Sequence, residues 1–225
     1  MSDQGQIFLN SEGDSWYERN KSTIESAKAS ADITFILQIL NGSSFEIKDL
    51  LEVGCSSAVK LNWLASSFSA SGSGIDPSSL AIQQGKRKYP DLDLNVGLAS
   101  RLPFEADKFD LVFFGFCLYL VPPEEIELAL KEALRVLRPK GFIALTDFDP
   151  GIEMTVPYKH VRGLSSYKRD YMQILNKLSN VTLIAKHSFS KSGNFFVEDR
   201  NSRVSTQIYF VDEPPSSLCN VTNGS

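Results

Sequence analysis

The sequence predicts an α/β fold: a mostly parallel sheet covered by helices on both faces, with an antiparallel hairpin at one edge. Three observations lead there. Between Ile47 and Thr146, strand-like and helix-like segments alternate. Several of the strand segments are apolar at successive positions, as strands buried on both faces are. After Asp147, two more strand-like runs, 181–189 and 204–211, follow each other with a connection too short for a covered crossover, so they pair antiparallel.

Taken in order, residues 1–13 are polar and are expected to be loose. Residues 14–40 read as helix, broken near Asn20; Ile33, Ile36, Leu37 and Leu40 recur at helical spacing, and Asn41-Gly42-Ser43-Ser44 ends the run. Strands are expected at 47–53, 72–75, 92–96, 109–114 and 142–146. Helices are expected at 57–68, 78–88 and 124–137. The last is the clearest, with Ile126, Ala129, Leu130, Ala133, Leu134 and Leu137 on one stripe, Pro122-Pro123 opening it and Pro139-Lys140-Gly141 closing it. Residues 148–164 look irregular. Tyr167, Tyr171, Ile174, Leu175 and Leu178 mark another helix, and residues 213–225 read as a disordered tail. The expected organisation is an N-terminal helical lid or extension (1–44), one sheet domain (45–212) and the tail.

Composition narrows the function. The chain has 225 residues, is 42% hydrophobic and carries a net charge of −4, enough for one good core. No basic block appears, so nucleic-acid and membrane-surface partners are not expected. The three cysteines, Cys55, Cys117 and Cys219, lack metal or disulfide spacing. Two histidines without clustered ligands make a metal site unexpected. The N-terminus lacks the basic start and apolar core of a signal peptide, so the expected location is cytoplasmic.

In an open parallel sheet, ligands bind beyond the carboxyl ends of the strands. Gly54-Cys55-Ser56 follows the first strand, Asp76 the second, Gly97-Leu98-Ala99 the third, Gly115-Phe116-Cys117 the fourth and Asp147-Phe148-Asp149 the fifth. Asp76 stands where a carboxylate can accept both hydroxyls of a ribose; taken alone, it reads as the cap of the helix that follows. A dinucleotide needs a glycine-lined turn for its pyrophosphate, and here the later glycine positions hold Ser56 and Val59. A cofactor without phosphate demands less, and one close backbone approach at Gly54 suffices for it.

The ordered series LLEVGCSSAVKL, GSGIDPSSLAIQQGK, VGLASRLPFEADKFDLVFFGFCLYL and ALKEALRVLRPKGFIALTDF, spanning residues 49–149, resembles class I S-adenosylmethionine-dependent methyltransferases. It is most similar to their small-molecule branch, the methyltransferase type 11-like proteins, with a Leu-Pro-Phe segment before the fourth strand. The resemblance implies a Rossmann-like, mostly parallel seven-stranded sheet with a C-terminal antiparallel edge hairpin, and S-adenosylmethionine as cofactor. It also implies residue roles. Glu52 matches the acid that contacts the methionine amine, Gly54 the glycine where backbone meets cofactor, with Cys55 and Ser56 continuing that turn. Asp76 matches the acid that holds the ribose hydroxyls, with Pro77 beside the adenine. The amide of Ala99 would face the adenine edge, and 114–116, including Phe114 and Phe116, would pass under the methionine part. Two departures stand out: Ser56 and Ala58 replace motif glycines, and Leu98 replaces an acid that often bonds the adenine amino group, a role left to a main-chain carbonyl or Ser100.

Methyl transfer needs alignment and water exclusion, and a base only for some acceptors. Candidate catalytic residues are Asp147, after the fifth strand, and His160, whose side-chain type titrates near neutral pH. Trp16 and Tyr17 are candidates to cover the cofactor, with packing on the sheet flank the competing reading; Tyr119 is placed equally between the acceptor pocket and simple packing. The expected acceptor is a small molecule, by analogy a sugar or a cell-surface polysaccharide precursor. The alternatives are a non-catalytic scaffold of the same fold and an NAD-dependent oxidoreductase.

Overall fold

The computed structural model describes residues 3–26, 30–190 and 196–213. The chain opens with α1 (Asp3–Ile7), a wider π-type turn (Phe8–Glu12), α2 (Gly13–Ser26) and α3 (Ala31–Leu40). The alternation then runs β1 (Asp49–Val53), α4 (Val59–Phe68), β2 (Ser71–Asp76), α5 (Ser79–Lys88), β3 (Asp93–Val96), β4 (Phe109–Gly115), α6 (Pro123–Val136) and β5 (Leu137–Phe148). A small hairpin, β6 (Met154–Pro157) and β7 (Ser165–Lys168), precedes α7 (Met172–Leu178), β8 (Asn180–Ser190) and β9 (Arg203–Glu213).

The main sheet has seven strands in the order β3-β2-β1-β4-β5-β9-β8. β1 to β5 pair in parallel, whereas β9 runs antiparallel to β5 and β8. The order reverses between β1 and β4, and that switch point positions the site.

Side-chain alternation explains why both faces are covered. Leu50, Leu111, Phe113, Phe142 and Ala144 join Ile33, Ile36, Leu61, Leu64 and Ile82 from α3, α4 and α5. Their strand neighbours Leu51, Val53, Val112, Phe114, Ile143 and Leu145 point the other way, into Ile126, Leu130, Leu134 and Leu175 from α6 and α7. A strand apolar at every position therefore feeds two cores at once. Each such side chain contributes about 1.5–3 kcal/mol by leaving water.

Three local expectations are corrected. Residues 3–12 are helical rather than loose. Gln4 Nε2 donates to Leu120 O (2.6 Å) and Ser165 O (3.0 Å), and Phe8 packs with Tyr158 and Leu164. These partners lie far along the chain, so local polarity was a poor guide. The N-terminal helix is not broken at Asn20. Its amide donates back to Trp16 O (2.8 Å), α2 continues to Ser26, and α3 starts at Ala31. Tyr167 sits in β7, not in a helix, and α7 begins only at Met172; the stretch expected to be irregular contains β6. The expected disordered tail from 214 onward lies outside the described residues.

Candidate functional site

The first strand-to-helix turn carries the site's tightest backbone. Gly54, Ser56 and Ala58 all adopt positive φ, at 76°, 49° and 62°. A Cβ on Gly54 would lie 2.5 Å from Cys117 Cβ, so close approach as well as φ requires glycine there. Ser56 and Ala58 hold the left-handed shape at a cost of order 1 kcal/mol each. Hydrogen bonds impose it. The N–H groups of Gly54 and Cys55 both donate to Ile75 O, and Ser56 N–H donates to Asp76 Oδ2 (2.8 Å).

Asp76 thus ties two rim loops together. Its Oδ1 accepts Ser78 N–H (2.8 Å), while the cap of α5 itself is Ser78, whose Oγ accepts Ala81 N–H (3.0 Å). Each carboxylate oxygen holds one backbone bond and retains a lone pair for a ligand. Burial pushes the Asp76 carboxyl up to about 6, the backbone bonds from Ser78 and Ser56 pull it back, and the charge of Asp14 adds to the rise.

Beyond the ends of β1 to β4 lies a cleft partly open to solvent. Gly54, Asp76, Pro77, Leu98, Ala99 and Phe116 line it, all foreseen from the sequence. Gly97, Ser100, Gly115, Cys117, Leu120 and Glu125 line it too, and the N-terminal helices close one side with Gly5, Phe8, Gly13 and Trp16. Asp14 fastens that cover. Its carboxylate accepts Ser78 Oγ–H (2.7 Å), Ser79 Oγ–H (3.1 Å) and Leu80 N–H (3.0 Å) at the start of α5. A Cβ on Gly13 would lie 3.0 Å from Ser78 N, so the cover meets the rim backbone to backbone. Tyr158 Oη donates to Glu12 (2.7 Å), and Arg19 bonds both Glu12 and Tyr158.

Other foreseen residues lie behind the wall. Glu52 is buried under Gly115, whose added Cβ would strike Glu52 Oε1; Oε2 has no hydrogen-bond partner. Burial pushes this carboxyl well above the usual range, with Lys60 opposing and Asp32 adding to the rise. Cys55 and Phe114 belong to the two cores. Tyr17 is buried beneath the cover, while its neighbour Trp16 faces the cleft.

On the far side, Phe116 (φ 68°), Tyr119 and Phe148 form an aromatic trio with ring centroids 5.1–5.2 Å apart. Asp147 is buried behind it; its Oδ2 accepts Tyr119 N–H (3.1 Å) and its Oδ1 accepts Phe148 N–H (2.7 Å). Lys168 Nζ stands 3.9 Å over the Phe148 ring and donates to Asn201 O (2.8 Å). His160 is exposed at the bend between β6 and β7, its ring 5.3 Å from that of Tyr158. Neither Asp147 nor His160 lines the cleft.

Residues 50–141 match the family model described as "Methyltransferase domain". An uncharacterized methyltransferase of Schizosaccharomyces pombe is 34% identical over 100 residues, covering 44% of this chain and 39% of that protein. A demethylmenaquinone methyltransferase of Beutenbergia cavernae is 41% identical over 73 residues, covering 32% and 30%. The chain spans less than half the length of these curated relatives. The fold agrees: a TehB-like SAM-dependent methyltransferase from Corynebacterium glutamicum superposes with a TM-score of 0.61 at 16% identity, over 89% of this chain and 98% of that one.

The match to that family model and the shared fold imply S-adenosylmethionine as cofactor. The residues present fit it. The charged groups lining the cleft are the carboxylates Asp76 and Glu125, and among the described residues no lysine or arginine lines it. A phosphate-bearing dinucleotide would meet only negative charge there, whereas a sulfonium and an amine meet complementary charge. The unpartnered Glu52 Oε2 and Ser56 Oγ, both buried at the β1 turn, are further polar atoms of the kind a bound amine or water satisfies.

Proposed function

We propose that the chain binds S-adenosylmethionine in this cleft and methylates a small molecule docked against the aromatic trio. The observation that carries the reading is the cleft's charge: its lining holds the carboxylates Asp76 and Glu125 and, among the described residues, no lysine or arginine. When bound, the cofactor supplies a methyl group already activated by a positively charged sulfur.

The protein's part is grip, alignment and water exclusion. Asp76 accepts the ribose hydroxyls on lone pairs its backbone bonds leave open. Gly54 lets the adenosyl part meet the main chain. Pro77, Leu98 and Ala99 sandwich the adenine, Phe8 and Trp16 cover it, and Glu52 serves the amine from beneath Gly115. Phe116, held at positive φ by its N–H bond to Thr146 O (3.0 Å), presents its ring toward the acceptor side. Asp147 acts as a positioning residue: it fixes the turn bearing Tyr119 and does not itself reach the cleft.

The trio supports an acceptor with a flat or ring-shaped face, a sugar among them. The name of the Beutenbergia relative, a demethylmenaquinone methyltransferase, makes a quinone-type ring the second class to try.

Calorimetry with S-adenosylhomocysteine and with NAD tests the reading. Saturable heat with the first and none with the second is expected. Silence with S-adenosylhomocysteine at millimolar concentration rejects it.

A further inference from the structure

Charge changes sign at the aromatic trio. The cleft lining holds Asp76 and Glu125, whereas the corner beyond the rings holds two cationic side chains in succession. β7 packs on the short helical turn Leu118–Leu120 that carries Tyr119, and it ends in Lys168, with Arg169 next. Lys168 and Arg169 are only 7% and 8% exposed, although both residue types normally lie at the surface. Lys168 reaches back over the Phe148 ring to Asn201 O.

Arg169 is placed differently. Its Cζ lies 5.6 Å from the Tyr167 ring centroid, and its Nε is buried with no hydrogen-bond partner among the described residues. Tyr171, two residues on and 1% exposed, adds a second orphan: its Oη also lacks a partner among the described residues. Burial pushes the Tyr171 hydroxyl well above its ordinary value, the charge of Asp147 adds to the rise, and that of Arg169 opposes it. Tyr171 is therefore within electrostatic reach of both the arginine and the aspartate behind the trio.

Two buried donors left open call for an oxygen that the fold does not supply. The N–H at arginine Nε can only donate, and a tyrosine hydroxyl donates as readily as it accepts. Buried polar groups normally have partners, and a buried cation needs a compensating charge. The neighbours set how much charge. Among the buried charged side chains of this corner, Lys168 and Arg169 outnumber Asp147 by one. Asp149 is paired with Lys186 (2.8 Å), and Asp170 and Asp199 are exposed. A singly charged carboxylate suits that balance better than a doubly charged phosphate.

Resting on the reading of the trio as the acceptor end, we infer that this corner selects an acceptor bearing a carboxylate. The ligand is a cyclic or aromatic acid whose ring packs on Phe116, Tyr119 and Phe148 while Arg169 Nε–H and Tyr171 Oη–H hold its carboxylate. Arg169 and Tyr171 are thus the residues that determine acceptor specificity.

The test titrates benzoate, its neutral isostere benzamide and phenyl phosphate against the protein by calorimetry and ligand-observed NMR, with S-adenosylhomocysteine binding measured alongside. The natural chain should bind benzoate roughly tenfold or more tighter than benzamide, as expected for one charge-assisted contact, and tighter than phenyl phosphate. Arg169→Met keeps the bulk, removes the charge, and should erase that preference without changing S-adenosylhomocysteine affinity. Tyr171→Phe should reduce the preference several-fold. Arg162→Met, at an exposed position between β6 and β7, should keep it. A natural chain that does not prefer benzoate over both other probes overturns the inference, as does a folded Arg169→Met protein that retains the preference; either result leaves the cofactor reading standing where S-adenosylhomocysteine binds. A natural chain that prefers benzoate but never binds S-adenosylhomocysteine overturns the cofactor reading alone.

Discussion

The two rims of the cleft are built on different plans. On the β1–β3 side, backbone does the work: Gly54 and Cys55 hang on Ile75 O, and Ser56 and Ser78 are gathered by the single carboxylate of Asp76. On the β4–β5 side, side chains do it: three rings packed at tilted and edge-to-face angles, a buried aspartate behind them and a lysine over one face. The first plan suits a ligand that never changes, because main-chain groups cannot be swapped by substitution. The second can be remodelled residue by residue, as an acceptor site must be when one fold serves many substrates.

Changes on the backbone-built rim should give the largest effects. Asp76→Ala leaves the Ser56 and Ser78 N–H groups without their acceptor and, on the reading proposed above, removes the ribose contact. We expect S-adenosylhomocysteine affinity to fall at least tenfold by calorimetry and stability to drop by about 1–3 kcal/mol in denaturant. The same carboxyl sets a pH signature. Its value rises from 3.8 unfolded to about 6 folded, so between those limits the folded state binds more protons than the unfolded one. Its contribution to stability is therefore greatest below the unfolded value and is lost as pH rises through about 6. Ligand affinity should run the opposite way and climb through that window, because ribose hydroxyls need the ionised form. An affinity that stays flat from about pH 5 to 7.5 would take Asp76 out of the contact.

The side-chain-built rim should respond more mildly and in a different measurement. Tyr119→Phe removes one hydroxyl from the aromatic wall. It should leave S-adenosylhomocysteine affinity within about twofold while weakening acceptor binding several-fold, about 1 kcal/mol. Equal losses for both ligands would erase the distinction between the rims. The smallest effect is expected at Ser56→Gly. Relief of a left-handed serine is opposed by the greater freedom of glycine in the unfolded chain, so a gain of less than about 1 kcal/mol should appear as a small rise in denaturant midpoint.

The contrast between plans also explains what could be read from the sequence. Gly54, Asp76, Pro77, Ala99 and Phe116 sit just after individual strands, so strand patterning alone brought them to one line, and the cleft lining contains all of them. Glu125 was out of reach because it becomes a neighbour of Ser100 only when α6 packs beside the β3 loop. The helical state of residues 3–12 was hidden for the same reason: Gln4 is held by Leu120, 116 positions away. His160 is a candidate only because its segment follows the fifth strand, where a surface position competes with a place at the site. The bend between β6 and β7 instead turns Tyr158 inward and leaves the histidine outside.

The clasp made by Asp14 has one more effect. Bonds from Leu80 N–H, Ser78 and Ser79 outweigh its burial and keep it an anion well into acid, and that fixed negative charge lies within range of Asp76. Shutting the N-terminal cover therefore makes the floor carboxylate easier to protonate, and opening it does the reverse. A cationic ligand held at Asp76 would offset that repulsion, so the clasp and the bound cation would steady each other.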